Sequence, residues 1–113
     1  MRRGDVVVVV AAAGDNGKPR PAVIVQTDAF PQTHASVVIC QTTSEIVAAP
    51  DFRVTIDPSR VNGLLVRSQV MADKPVTVRR ARIGQTIGRL EADDIGRLDV
   101  ALAFVMGLAD RRP

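Results

Sequence analysis

Five consecutive β-branched residues, Val6 to Val10, constrain this chain more than any other feature. Valine loses side-chain freedom in a helix and packs well on a pleated surface, and a run this short falls well below the length at which a helix becomes stable. Because the run is unbroken and does not alternate with polar residues, it predicts a strand buried on both faces. Asp15-Asn16-Gly17 follows as a turn signal, and Lys18-Pro19-Arg20-Pro21 leads into a second apolar stretch, Ala22 to Gln26. The two stretches read as a hairpin.

Further along, Phe30 to His34 reads as a loop and Ser36 to Gln41 as a third strand, closed by the hydroxyls of Thr42, Thr43 and Ser44. Val54-Thr55-Ile56 predicts a short strand, Pro58 to Gly63 a loop with an Asn-Gly turn, and Ser68 to Ala72 a fifth strand. Asp73-Lys74-Pro75 reads as the turn that ends it. After the basic segment Arg79-Arg80-Ala81-Arg82, Gln85 to Gly88 adds one more short strand. The period then changes from Ala92 to Gly107: Ile95, Leu98, Ala101, Leu102, Val105 and Met106 recur at helical spacing, with Asp93 and Asp94 well placed for the positive end of the helix dipole. Gly107 is a natural helix cap. Several strands with one terminal helix predict an antiparallel, barrel-like β domain of the α+β class, and 113 residues fit a single domain spanning 1–113.

Composition removes several functional classes. One Cys and one His cannot supply the ligands of a zinc site, so no metal and no other cofactor is expected. Three Phe with no Trp or Tyr argue against a binder that stacks bases on an aromatic platform. The excess of 15 Lys and Arg over 12 Asp and Glu leans towards an anionic partner, although an ordinary solvated surface explains it as well. No apolar run approaches the roughly 18 residues of a membrane span. Met1-Arg2-Arg3 before an apolar stretch mimics a signal peptide, but Gly4-Asp5 sets a charge against that stretch, and the segment is needed for the core. The lone Cys40 fits a reducing cytoplasm.

Three places could carry chemistry. Arg20 stands between two prolines, and Pro21 pushes its backbone towards an extended conformation, so its guanidinium is offered from a stiff segment with little entropy left to lose. Such a fork suits phosphate, whereas a loop arginine without that role faces water. Thr42, Thr43 and Ser44 could orient a phosphate or ribose hydroxyl, or could simply satisfy the turn leading to Glu45. Asp73, beside Lys74, could be a general base tuned by neighbouring cations, or merely an Asp that opens a turn. His34 is a lone loop histidine, a weaker candidate for an acid–base group.

In order and spacing these segments resemble the MazF/PemK family of toxins. The matching pieces are Arg2-Arg3-Gly4-Asp5-Val6, Arg20 to Gln26 with Asp28-Ala29-Phe30, Thr43-Ser44, Ser68 to Lys74 with Thr77, and Ile87-Gly88-Arg89-Leu90 running into the helix. The resemblance covers nearly the whole chain. It implies an SH3-like barrel, a homodimer, and a metal-independent endoribonuclease of a type II toxin–antitoxin system, acting as an mRNA interferase on single-stranded RNA. In that reaction the ribose 2′-hydroxyl attacks its own phosphate, leaving a 2′,3′-cyclic phosphate and a 5′-hydroxyl. A MazE-like antitoxin with an acidic, apolar tail is the implied partner.

Residue by residue, the resemblance maps the family's catalytic arginine onto Arg20 and its strand-ending threonine onto Thr43. Asp73 matches the acid–base Asp of the Kid branch, with Met71 standing where that branch has an arginine. Lys18, Ser44, Lys74 and Arg79 are the implied RNA contacts. Two other classes share the architecture. One is a CcdB-like toxin that binds DNA gyrase, which relies on a Trp this chain lacks; the other is a non-catalytic SH3-like module that binds nucleic acid.

Overall fold

Valine-rich segments separated by Gly, Pro and Asx turns leave little choice but strands. The computed structural model, which describes residues 1–10 and 18–108, contains six of them. They are β1 (Asp5–Val9), β2 (Arg20–Ile24), β3 (Ser36–Thr43), β4 (Arg53–Ile56), β5 (Ser68–Arg79) and β6 (Ile83–Arg89). A single 3-10 turn, Arg80–Arg82, joins β5 to β6, and the helix α1 (Ala92–Val105) follows. The turn expected at Asp15-Asn16-Gly17 lies outside the described residues.

All pairings are antiparallel, in the order β4-β5-β3-β2-β1-β6. The predicted hairpin is present, with Val6 opposite Val23 and Val9 opposite Arg20. As the unbroken valine run requires, β1 is buried on both faces. Val6 joins Val23, Cys40, Val70 and Leu90 in a core closed by Leu98, Ala101 and Leu102 of α1. Val7 and Val9 point the other way, into a second core with Ala22, Ile24, Val37 and Ile39. Each such fully buried aliphatic side chain stabilises the fold by about 1.5–3 kcal/mol.

The largest departure from expectation lies in β5. Asp73-Lys74-Pro75 is not a turn; the strand runs on to Arg79. What interrupts it is a wide bulge: Thr42 pairs with Val70 and Cys40 with Pro75, so Met71, Ala72, Asp73 and Lys74 on β5 oppose Gln41 alone on β3. Before the bulge β5 is shared with β4, whose last pair is Arg53 with Met71, and beyond it β5 pairs only with β3. Pro75 therefore stands where β5 has a free edge and its missing N–H costs no ladder bond.

The loop after β4 is held by one buried side chain. Asn62 accepts hydrogen bonds from the Ser59 and Leu64 amides at 3.0 and 2.9 Å and donates to the Asp57 carbonyl at 2.9 Å. This loop presses on β6, where the Arg89 amide donates to the Val61 carbonyl at 2.8 Å. A Cβ on Gly88 would collide with the Asn62 carbonyl, and Gly63 has φ +70°, so both positions require glycine. Among the described residues no helix is long and apolar enough to cross a membrane.

Candidate active site

The alternation of side chains along a strand decides what can meet at the end of this sheet. Pairs between β2 and β3 run Ile24 with Ile39, Val23 with Cys40, and Ala22 with Gln41. Two residues further, the same register sets Arg20 directly opposite Thr43. The strands are still adjacent there, because the Thr42 hydroxyl donates to the Pro21 carbonyl at 3.0 Å. Both Arg20 and Thr43 project on the side that carries Ala22, Ile24 and Ile39, where the apolar second core gives way to polar residues.

The polar face continues across the sheet. Thr43 pairs with Gln69 of β5, and Gln69 with Thr55 of β4. The Gln69 amide nitrogen donates to the Thr55 hydroxyl at 3.1 Å and to the Val47 carbonyl at 2.9 Å, while its oxygen accepts the Val47 amide. This buried glutamine thereby pins the loop after β3 beside Thr43. Thr43 itself uses its hydroxyl oxygen to accept the Glu45 amide at 3.1 Å. The Ser/Thr turn is thus real, yet it leaves the Thr43 O–H free to donate to a ligand oxygen.

Arg20 is exposed, and among the described residues no acid pairs with it. Flanking Pro19 and Pro21 line an apolar recess of about 590 Å³ with Leu64, Leu65 and Ile87. An unneutralised, entropically restrained arginine facing a hydroxyl donor is a small anion site, apt for one phosphate group.

Asp73 lies on this face too, and the cation that tunes it comes from a neighbouring strand as well as from Lys74. The Arg53 guanidinium forks onto it, Nε to Oδ1 at 2.9 Å and Nη2 to Oδ2 at 3.4 Å, with side-chain exposures of 13% for Arg53 and 25% for Asp73. Partial burial alone would push the Asp73 carboxyl up. That desolvation is the largest single effect, but the Arg53 hydrogen bond, a backbone hydrogen bond and the charges of Arg53 and Lys74 together outweigh it and hold the group below the usual carboxylate range. Because the bulge gathers Met71 to Lys74 opposite Gln41, Asp73 stands about two β3 residues, or ~7 Å, beyond Thr43.

Arg53 is the neighbour of Asp73 that the sequence reading missed. It reaches Asp73 from the neighbouring strand, where Arg53 pairs with Met71. The signal was present: Arg53-Val54-Thr55-Ile56 alternates polar with apolar, which sets Arg53 and Thr55 outward on one side. β4 begins at Arg53, one residue before the predicted Val54 to Ile56.

The four expected RNA contacts divide. Lys18 precedes Arg20 on the exposed segment, Ser44 follows Thr43, and Lys74 stands in the bulge. Arg79 is not with them: it pairs with Ser36, at the far end of β3 from Thr43, about 23 Å away along an extended strand. Spacing in sequence did not reveal this, since β5 was expected to stop at Ala72. His34, also in that distant region, packs against Phe30 with ring centroids 5.0 Å apart.

Comparisons with known proteins agree with this architecture. A probable endoribonuclease MazF from Mycolicibacterium smegmatis is 40% identical over 109 residues, covering 96% of this chain and 99% of that protein. An endoribonuclease solved in complex with its cognate antitoxin from a mycobacterial species superposes with a TM-score of 0.80 at 26% identity, covering 96% of each chain. A MazE–MazF structure from Deinococcus radiodurans, at 22% identity and TM-score 0.75, shares the fold over 96% of this chain and 98% of its own. The sequence profile of the PemK-like, MazF-like toxins of type II toxin–antitoxin systems matches residues 2–106. The chain belongs to that family.

Proposed function

We propose that this protein is the toxin of a type II toxin–antitoxin pair and that it acts as a metal-independent endoribonuclease, cutting single-stranded RNA and so arresting growth. The observation that carries this reading is Arg20, paired with no acid among the described residues, standing where the β2–β3 register, continued two residues beyond Ala22 and Gln41, meets Thr43. Membership in the MazF/PemK family and the mycobacterial relative's name as a probable endoribonuclease support it.

In the reaction the 2′-oxygen forms a bond to phosphorus while the bond to the 5′-oxygen breaks, so charge accumulates on the phosphorane oxygens. Arg20 supplies a preorganised cation there, and the free O–H of Thr43 donates to a second oxygen. Asp73 accepts the 2′ proton. It is ionised at neutral pH, as a base must be, but the Arg53 fork makes it a weak base. Stabilisation by Arg20 therefore contributes more to the rate than proton removal does. The products are a 2′,3′-cyclic phosphate and a 5′-hydroxyl, the leaving oxygen taking its proton from solvent. In the cytoplasm a MazE-like antitoxin restrains the enzyme, a partnership consistent with relatives solved with their antitoxins. The working unit is a homodimer.

The test is an RNA-cleavage assay in the presence of a chelator. Arg20→Ala should lose on the order of 100- to 1000-fold in kcat, as removal of one preorganised donor does. Arg60→Ala, an exposed arginine far along the chain, should keep wild-type activity. Equal rates for all three proteins would remove Arg20 from the mechanism. Binding without cutting by the wild type would favour the non-catalytic SH3-like module.

A further inference from the structure

Charge is not spread evenly over this protein. Residues 74–90 carry five of the fifteen Lys and Arg and none of the twelve Asp and Glu, and the segment 29–44 has no Asp, Glu, Lys or Arg. The fold packs these segments together, since β3 pairs with the second half of β5 along Ser36 to Cys40. Of the five cations, Arg89 is held by Asp5 at 3.1 Å, and Lys74 adjoins Asp73. Arg79, Arg80 and Arg82 cluster within four residues where β5 turns into β6.

That turn is rigidly built. The Arg80 amide donates to the Ala35 carbonyl and its Nε to the His34 carbonyl, both at 2.8 Å, which fixes the guanidinium and leaves its terminal nitrogens for a ligand. Arg79 is exposed and forms no ion pair among the described residues. Together with Ala35, Ser36 and Ala81 the two arginines line a recess of about 560 Å³. Asp28, which shares a narrow cleft with Arg80, has a carboxylate oxygen accepting the Arg3 amide at 2.8 Å.

We propose that the Arg79–Arg80 recess is a second phosphate site, which anchors the backbone of the RNA strand at a distance from the scissile phosphate. This rests on the endoribonuclease reading. The lining is arginine, serine and alanine, with no large apolar side chain, so it suits a charged sugar–phosphate backbone better than an acidic and apolar peptide. Two guanidiniums can grip phosphate oxygens in pairs without reading a base. The recess and Thr43 occupy opposite ends of β3, about 23 Å apart, so a stacked strand at ~3.4 Å per nucleotide needs about seven nucleotides to bridge them, and an extended strand fewer. The site therefore sets affinity and minimum substrate length, not the cleavage motif.

The experiment measures binding of an uncleavable 2′-O-methyl RNA of about 20 nucleotides by fluorescence anisotropy across a salt series, alongside cleavage kinetics on the corresponding RNA. Each lost phosphate contact should lower the slope of log K against log salt by about one, so Arg79→Gln should lower it by about one and Arg79→Gln/Arg80→Gln by about two. For the double variant, affinity should fall on the order of tenfold near ~0.1 M salt, with KM rising and kcat unchanged. The charge-matched variant Arg60→Gln/Arg67→Gln should keep the wild-type slope. Arg79→Gln removes no contact of the fold and covers the case in which the double variant is unstable.

An unchanged slope in Arg79→Gln, or a fall in kcat with KM intact, would overturn the proposal. So would a variant that loses affinity for an acidic, apolar peptide while holding RNA as before. Because the probe cannot be cut, a wild type that binds with the full slope but cleaves nothing would sink the nuclease reading and leave the anchor standing. A wild type that cleaves while the variants bind normally would do the reverse.

Discussion

Arg53 and Asp73 show how one cross-strand contact changes the chemistry available to a residue. A lone Asp at the end of a strand would titrate near ~3.9, whereas the forked guanidinium stabilises its charged form. The pair's contribution to stability is therefore complete at neutral pH and is lost as pH falls below the ordinary carboxylate value and through the depressed one. Arg53→Met removes the fork and lets desolvation raise the Asp73 pKa. The acidic limb of the pH–rate profile should then move to higher pH, since the base must be ionised to act, and a limb that stays in place would exclude Asp73 as the proton acceptor. Loss of this charge-assisted pair should also cost about 1.5–3 kcal/mol in a denaturation experiment at pH 7.

Among the elements, β6 depends on a loop that is remote from it in sequence. Gly88 lies so close to the Asn62 carbonyl that any side chain there must displace the loop, and Asn62 is fully buried and bound on three sides. Gly88→Ala should therefore lower the melting temperature, with a cost of about 1–3 kcal/mol from overpacking against backbone that cannot yield. An unshifted melting curve would mean that the loop moves freely. The strands themselves were legible because β-branched runs and turn residues are local signals. β5 was cut short because Asp-Lys-Pro normally ends a strand, and a bulge between two partners depends on which strands flank it.

For the molecule as a whole, β3 is the strand that organises both cores and both proposed phosphate sites. Its Cys40 is fully buried, and burial, with a further push from the Asp73 charge against a smaller opposing effect of Arg3, raises the thiol from 9.0 to about 11. The native protein should therefore resist alkylation by iodoacetamide at pH 8 and react fully once unfolded, so the alkylation rate reports global opening. Rapid modification of the native protein would show that this core opens locally. Above pH 9 the unfolded chain gives up the thiol proton while the folded one retains it, so stability should decline with alkalinity.

By itself the sequence determined the strand-forming segments, the terminal helix, the family and the pairing of Arg20 with Thr43 as site candidates. The elements follow from side-chain shape and from 2- and 3.6-residue periodicity, whereas the family and the site candidates follow from the resemblance of the matching segments. Only the tertiary structure decided that Arg53 clasps Asp73 and that Arg79 stands at the far end of β3. It alone gathered the acid-free segments into one surface. The physical reason is that charges interact through space, and strand order, not chain order, sets the distances between them.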